Sequence, residues 1–306
     1  MTLCGEVAAE SPRRRVGSAA QIRCAPISCN IKCSPNRLST CAPIARQGAR
    51  ERIMPSFRSI NLALSAGLHW RLPKQFTYPL ALAYEQTIME LGASLDSGLM
   101  LDVGAGLSTV ANKSLGLNGA IGIIGMDIAE DALHTNTDLD YQLVADACKT
   151  WPLADASLDM IVSRSVIEHL ADTGTFAREC RRVLKPGGFG VHLMPGRNAP
   201  FAILNRLLPG SISRRLLDWI FPEKKELLGF PAYYQNCTFP EIVRLFGDAG
   251  LTVERVYCRY YQSTYYAAFF PAYLAFVAYD LVVWKLGIKR LSSQLMIVIS
   301  RDSSAN

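Results

Sequence analysis

The chain has 306 residues, half of them hydrophobic and 19% charged, enough to bury a substantial core in one large domain or two small ones. Its net charge of +6 is concentrated at one end: residues 1–53 hold nine Lys or Arg against Glu6, Glu10 and Glu51, and the remainder carries 23 residues of each sign. A neutral body argues against an extended basic surface for nucleic acid.

Residues 1–55 are rich in Ser, Pro, Arg and Ala and lack sustained apolar periodicity, which predicts a disordered basic tail. The composition also suits an organelle transit peptide, so organelle import stays open, and Met54 offers an alternative start. The long apolar stretch of a secretory signal is missing. Nine cysteines, an odd number with no C-x-x-C pair, read as free thiols in a reducing compartment, and the cytoplasm is the expected location. Five of them lie in the tail, at spacings that fit no common zinc pattern.

From about residue 56 the pattern becomes globular, and residues 56–304 are expected to form one domain. "FTYPLALAYEQTIMELG" reads as an amphipathic helix leading to the strand and glycine turn of "GLMLDVGAG". "LSTVANKSLG" continues as a helix. "AIGIIGMDIAEDAL" gives a second strand ending at Asp127 and a helix opening at Ala129 to Asp131. "YQLVADA" is a third strand, and "LDMIVSRSVIEHL" opens as a fourth that runs to about Ser163. In "TGTFARECRRVLKPGG" the residues Phe176, Cys180, Val183 and Leu184 share a helical face, and Pro186, Gly187 and Gly188 stop the helix. "FGVHLMP" is a fifth strand. Thr238 and Glu241 form a capping-box pattern for a further helix that ends at Gly250. "LTVERVYC" and "LSSQLMIVISR" supply the sixth and seventh strands. The alternation predicts an α/β, mostly parallel sheet covered on both faces, with ligands at the carboxyl ends of its strands.

The first glycine turn, Asp127, "ADA" and "SRS" all fall on that edge. A dinucleotide fingerprint would need a third glycine where Thr109 stands, and an acid just before the glycines suits a pyrophosphate poorly. Asp102 fits a ligand with a cationic amine better. Here the chain resembles the class I S-adenosylmethionine-dependent methyltransferases, through "LDVGAG", "LKPGG" and the order of motifs over roughly residues 75–260. The resemblance implies a Rossmann-like doubly wound sheet with an antiparallel last strand, and S-adenosyl-L-methionine as cofactor. It implies that Asp102, Gly104, Ala105 and Gly106 line the aminocarboxypropyl end of the cofactor. Asp127 would hold the ribose hydroxyls with Ile128 beside it, Asp146 and Ala147 would meet the adenine edge, and Arg164 and Ser165 would touch the cofactor's middle. Ser108 stands where many members carry Gly.

A hydroxyl acceptor also needs a base, for which Glu168 and His169 are the candidates. Some quinone-pathway methyltransferases read E-x-x-E-H here and use the acids toward a divalent metal; Ser165 replaces the first acid, and no metal is expected. The competing role for Glu168 and His169 is to cap or orient the following helix. His192 reads as a core histidine, and His69 and His134 have no supporting context.

Residues 196–236 interrupt the pattern after the fifth strand and read as a helical cap over the active-site mouth, with Tyr233 and Tyr234 as substrate contacts. Residues 262–289 form a second insertion, in which 265–284 carry one charge, Asp280. A single bilayer crossing would separate two strands of one sheet. The expected roles are therefore a peripheral membrane contact, a lid over an apolar substrate, or a dimer contact. The leading reading is methyl transfer to a small-molecule or lipid-linked acceptor near a membrane. A cofactor-binding but inactive partner or sensor protein is the alternative, and a nicotinamide-dependent oxidoreductase a distant third. Oligomeric state is not legible in the sequence.

Overall fold

The computed structural model describes residues 56–109, 121–208, 215 and 231–303. The basic tail, most of the helix expected at 107–116, and the middle of the cap lie outside the described residues. Leu107–Thr109, the described start of that expected helix, is turn and bend.

Seven strands form one sheet: β1 (Gly98–Val103), β2 (Ile121–Asp127), β3 (Tyr141–Val144), β4 (Leu158–Arg164), β5 (Leu184–Pro195), β6 (Thr252–Arg259) and β7 (Gln294–Ser300). Their order is β3-β2-β1-β4-β5-β7-β6. All pairs are parallel except those of β7, which runs antiparallel between β5 and β6. This is the Rossmann-like doubly wound arrangement, mostly parallel with a reversed last strand. The order switches direction between β1 and β4, and the ends of those two strands open the crevice in which such sheets bind ligands.

The strands' alternation sends neighbouring residues to opposite faces. Leu101, Ile161 and Ile297 pack on one side with Phe176 and Cys180 of α5 (Thr173–Val183) and Phe246 of α7 (Phe239–Asp248). Met100, Met160 and Met296 pack on the other with Tyr84 and Ile88 of α3 (Leu80–Gly92). Both faces are therefore closed by helices, as the continuous apolar strands require.

Several boundaries differ from the sequence expectation. The helix expected across "FTYPLALAYEQTIMELG" is two: α2 (Lys74–Thr77) and α3, parted at Tyr78-Pro79 because the residue before a proline is driven out of helical geometry. Helix α5 ends at Val183, before its expected stop. Leu184–Gly188 instead begins β5 through a register shift against β4, with Gly187 at φ +83°. The Thr238–Glu241 pair is a side-chain hydrogen bond of 2.6 Å and not a bond to the helix backbone. Glu241 also pairs with Arg197 at 2.5 Å, which ties α7 to the exit of β5. Two short helices complete the early part of the chain: α1 (Phe57–His69), which the sequence pattern does not reveal, and α4 (Glu130–Thr135). The described part of the cap consists of residues 196–208, with α6 (Pro200–Leu207), Arg215 and residues 231–236.

The apolar insertion folds as a 3-10 turn, Ser263–Tyr266, and a 17-residue helix, α8 (Phe270–Leu286). Among the described residues no helix is long and apolar enough to cross a membrane. Asp280 is buried on the inner side of α8. Its carboxylate accepts from Gln262 N (2.8 Å), Ser263 N (3.1 Å), Ser263 Oγ (2.6 Å) and Gln262 Nε2 (3.3 Å). The insertion's one acid is thus the anchor that closes the turn onto the helix. Burial raises its pKa, and these donors oppose the rise. Replacing Asp280 with Ala strands two backbone N–H groups and a hydroxyl, and is expected to cost about 3 kcal/mol of stability. Asp280→Asn, which keeps an acceptor, should cost less. Urea midpoints of the two variants check the order.

Candidate functional site

The turn after β1 is held from below and from behind. Gly104 N donates to Met126 O (2.7 Å) and Ala105 N to the same oxygen (3.3 Å), which binds the turn to β2. The Asp127 carboxylate accepts from Gly106 N (3.0 Å) with one oxygen and from Ala129 N (2.9 Å) with the other. One acid therefore joins the glycine turn to the start of α4. Asn136 adds a bond from Nδ2 to Gly106 O (3.2 Å).

Gly104 and Gly106 have φ of +74° and +48°, conformations that side chains disfavour. A Cβ on Gly104 would collide with Val166 Cγ2. The exit loop of β4 packs into the space that a side chain on Gly104 would need. Around Gly106 the surroundings are open, the nearest atom to an added Cβ being Asp127 Oδ2 at 3.8 Å.

Asp102 is buried, and its carboxylate accepts the Thr109 hydroxyl. Tyr84 reaches the same region from α3. Its hydroxyl is fully buried with no hydrogen-bond partner among the described residues, and burial together with the Asp102 charge holds its pKa well above the usual value. Glu85, next along α3, pairs with Arg164 at the end of β4 (3.7 Å). Sequence reading missed Tyr84, Glu85 and Thr109. The available signal for the first two was their place on the helix that covers the β1 end of the sheet.

The remaining candidates lie at the carboxyl ends of β2, β3 and β4. Ile128 is 61% exposed beside Asp127. Asp146 accepts from Cys148 N (2.8 Å), and Lys149 lies 3.6 Å from its other oxygen; Ala147 follows it in the same turn. Ser165 takes φ +57°, a strained value for a residue with a side chain, and is held there by its N–H to Leu193 O (2.8 Å).

Glu168 and His169 sit in a 3-10 turn, Ile167–His169, between β4 and α5. The cap of α5 is Asp172, which accepts from Thr175 N (2.9 Å), so neither candidate performs that task. Glu168 O accepts from both Tyr233 N (2.8 Å) and Tyr234 N (2.9 Å), which pins the end of the cap to this turn. Tyr233 is exposed, whereas Tyr234 is buried in the core with φ +53°. His169 Nδ1 bonds Pro231 O at 2.9 Å. A carbonyl only accepts, so Nδ1 carries the hydrogen and Nε2 is the acceptor nitrogen of the neutral ring. That Nε2 is 3.9 Å from Glu168 Oε1. His192 is a core residue: Nδ1 meets Ser163 Oγ at 2.8 Å, the ring stacks on Phe246, and burial lowers its pKa to about 3. His69 bonds Tyr261 and His134 bonds Gln142, both away from this crevice. Among the described residues no cluster of His, Cys, Asp or Glu could hold a metal ion, and Cys148, Cys180, Cys237 and Cys258 are free thiols.

The sheet order, the reversed last strand and the acids gathered at the β1–β4 crevice define a Rossmann-like α/β domain of the class I methyltransferase type. Residues 101–191 match the family model described as "Methyltransferase domain". A probable S-adenosylmethionine-dependent methyltransferase of Mycolicibacterium smegmatis is 36% identical over 91 residues, covering 26% of this chain and 34% of the relative. The ubiquinone biosynthesis O-methyltransferase of Thiobacillus denitrificans is 28% identical over 174 residues, covering 54% and 68%. The chain thus spans about a third of the first relative's length and about two thirds of the second's. The solved phosphoethanolamine N-methyltransferase 2 of Haemonchus contortus, in complex with S-adenosyl-L-methionine, aligns over 82% of this chain and 61% of its own at 17% identity and a TM-score of 0.45.

Burial lifts the Glu168 pKa from 4.5 to about 8. Between those values the unfolded chain has released a proton that the folded chain keeps. Stability therefore falls as pH rises through this window, by at most about 1.4 kcal/mol per pH unit, and levels above pH 8. Glu168→Gln is expected to remove that slope. Melting curves of both proteins from pH 5 to 9 test it: the variant should gain on the parent steadily up to about pH 8.

Proposed function

We propose that this protein transfers a methyl group from S-adenosyl-L-methionine to a small or lipid-linked acceptor at a membrane surface. The observation that carries the reading is the convergence of Asp102, the glycine turn, Asp127, Asp146 and Ser165 on the crevice at the switch in strand order. The residues fit the cofactor. Tyr84 offers a buried hydroxyl beside Asp102 that has no partner among the described residues, and Ile128 presents exposed apolar surface beside Asp127. Each oxygen of Asp127 accepts one backbone N–H and retains capacity for a ribose hydroxyl.

In this reading Asp102, Gly104, Ala105 and Gly106 line the aminocarboxypropyl end, with Tyr84 donating to it. Asp127 accepts from the ribose, Ile128 covers the adenine face, Asp146 and Ala147 meet its edge, and Arg164 and Ser165 border the cofactor's middle. The cofactor's sulfonium supplies an activated methyl, and the protein's part is alignment and exclusion of water. The Thiobacillus relative is an O-methyltransferase, which supports a hydroxyl acceptor. His169 Nε2 takes the hydroxyl proton as the oxygen lone pair receives the methyl. Glu168, neutral at pH 7, places an uncharged carboxyl beside that nitrogen and does not compete for the proton by charge. Tyr233, exposed at the end of the cap, contacts the acceptor, and Tyr234 fixes the cap beneath it. The apolar outer side of α8 supports work at a membrane.

Calorimetry should show S-adenosyl-L-methionine binding that Asp127→Ala weakens by about 1.5–3 kcal/mol, through loss of charge-assisted hydrogen bonds. Unchanged affinity would remove the ribose assignment. Labelled methyl should pass from the cofactor into a total extract, with the lipid and aqueous phases counted separately. His169→Ala should lower that turnover about 10²- to 10⁴-fold while cofactor affinity holds. Cofactor binding without any turnover in the parent protein would favour the inactive-partner alternative.

A further inference from the structure

Helix α1 is built inside out, and α8 is apolar on its outer side as well as its inner one. On α1 the inward residues are polar. Asn61 Oδ1 accepts from Phe270 N at 2.8 Å, Ser65 Oγ donates to Ala267 O at 2.9 Å, and His69 Nδ1 meets the Tyr261 hydroxyl at 2.8 Å. The outward residues are apolar: Phe57, Ile60 and Leu64, followed by Trp70 just past the helix, are 68%, 46%, 50% and 81% exposed. On α8 the acid Asp280 points inward together with Tyr273, Val277 and Val283, while Leu274, Ala278, Val282 and Leu286 recur at four-residue spacing as an exposed stripe. A helix that meets water shows the opposite polarity. The two helices adjoin, with the Phe57 and Phe269 rings 6.4 Å apart, so their apolar sides form neighbouring parts of one surface.

The charges around this surface have one sign. Residues 56–84 contain Arg58, Arg71 and Lys74 and no acid; residues 260–293 contain Lys285, Lys289 and Arg290, with Asp280 alone opposing them and buried. Where α2 meets the end of α8, a cavity of about 200 Å³ is lined by Phe76 and Trp284 and by two cations, Arg259 and Lys289. Arg259 Nε is buried there without a hydrogen-bond partner among the described residues. A large apolar patch rimmed by cations complements an anionic lipid surface. A second copy of the chain would bring like charges together around the same patch.

We propose that α1 and α8 together form the surface by which this protein docks on a bilayer carrying anionic headgroups. The proposal deepens the membrane part of the function above and is independent of methyl transfer. It makes α1 half of a contact that the sequence placed in residues 265–284 alone. Exposed Trp70 lies at the headgroup level, where amphipathic rings are favoured.

The test is flotation of the full chain with vesicles of phosphatidylcholine, with and without phosphatidylglycerol, alongside calorimetry of S-adenosyl-L-methionine binding. The protein should float with the mixed vesicles, and salt should release only part of it, since apolar burial is not screened. The double variant Ile60→Ser/Leu64→Ser should partition at least about tenfold more weakly with its melting temperature and cofactor affinity unchanged. Lys74→Glu/Lys285→Glu should lose the preference for anionic vesicles. Trp70→Ser, whose side chain lies almost wholly in solvent, should give the same direction of effect should the double variant fail to fold. A parent protein that binds cofactor yet stays in the aqueous phase with both vesicles would overturn the proposal and leave methyl transfer standing. Undiminished flotation of the folded α1 variants would overturn the role of α1. A dimer in light scattering that the α1 variants make monomeric would assign the face to a second copy and overturn it also. Flotation without cofactor binding would uphold the surface and strike the methyl-transfer reading instead.

Discussion

Parallel strands must all be entered from the same side, so their exits gather along one edge of the sheet, and the organisation of this molecule follows from that constraint. Six of the seven strands run in one direction, and the loops after β1, β2, β3 and β4 meet although they are far apart in sequence. What turns a gathering of loops into a defined crevice is the Asp127 carboxylate, which holds Gly106 N on one side and Ala129 N on the other. A single carboxylate thus fixes the distance between the exits of β1 and β2. Such pre-set geometry spares a ligand the cost of ordering the loops it touches.

The sheet was legible in the sequence because buried parallel strands are written as short, almost continuous apolar runs. The order of turns and acids was legible for the same reason, since each follows such a run directly. Helix α1 was not, because its polarity is reversed: Asn61 and Ser65 face the protein, and a search for an apolar inner stripe finds nothing to mark. The break between α2 and α3 was written in Tyr78-Pro79, but the apolar periodicity on either side obscured it. The early end of α5 had no such sign, because "LKPGG" serves equally as a helix stop and as a bulged strand start, and only pairing with β4 decides.

The site divides along the same line. Residues at strand ends were legible by position. Tyr84, on a helix that reaches the crevice from outside the strand–turn pattern, was not, and neither was the packing of Val166 against Gly104. For Glu168 the sequence left two uses open. The structure gives the capping task to Asp172 and leaves Glu168 buried, with one carboxyl oxygen unpartnered among the described residues and its backbone oxygen holding the cap's last residues. A residue joined by its main chain to the cap and by its side chain to the neighbourhood of His169 couples cap position to the state of that turn.

The reversal of β7 has a consequence for how this architecture can change. Because β6 leaves the sheet where β7 enters it, the intervening excursion opens and closes at one point: Arg259 stands opposite Gln294, and Ser293 N donates to Arg259 O at 2.6 Å. The excursion is therefore a module clamped at its base. Further out it is held by α1, where Asn61 Oδ1 accepts from Phe270 N and Ser65 Oγ donates to Ala267 O. A change in the excursion is therefore felt first by α1, while the register of β6 against β7 is set at the clamp.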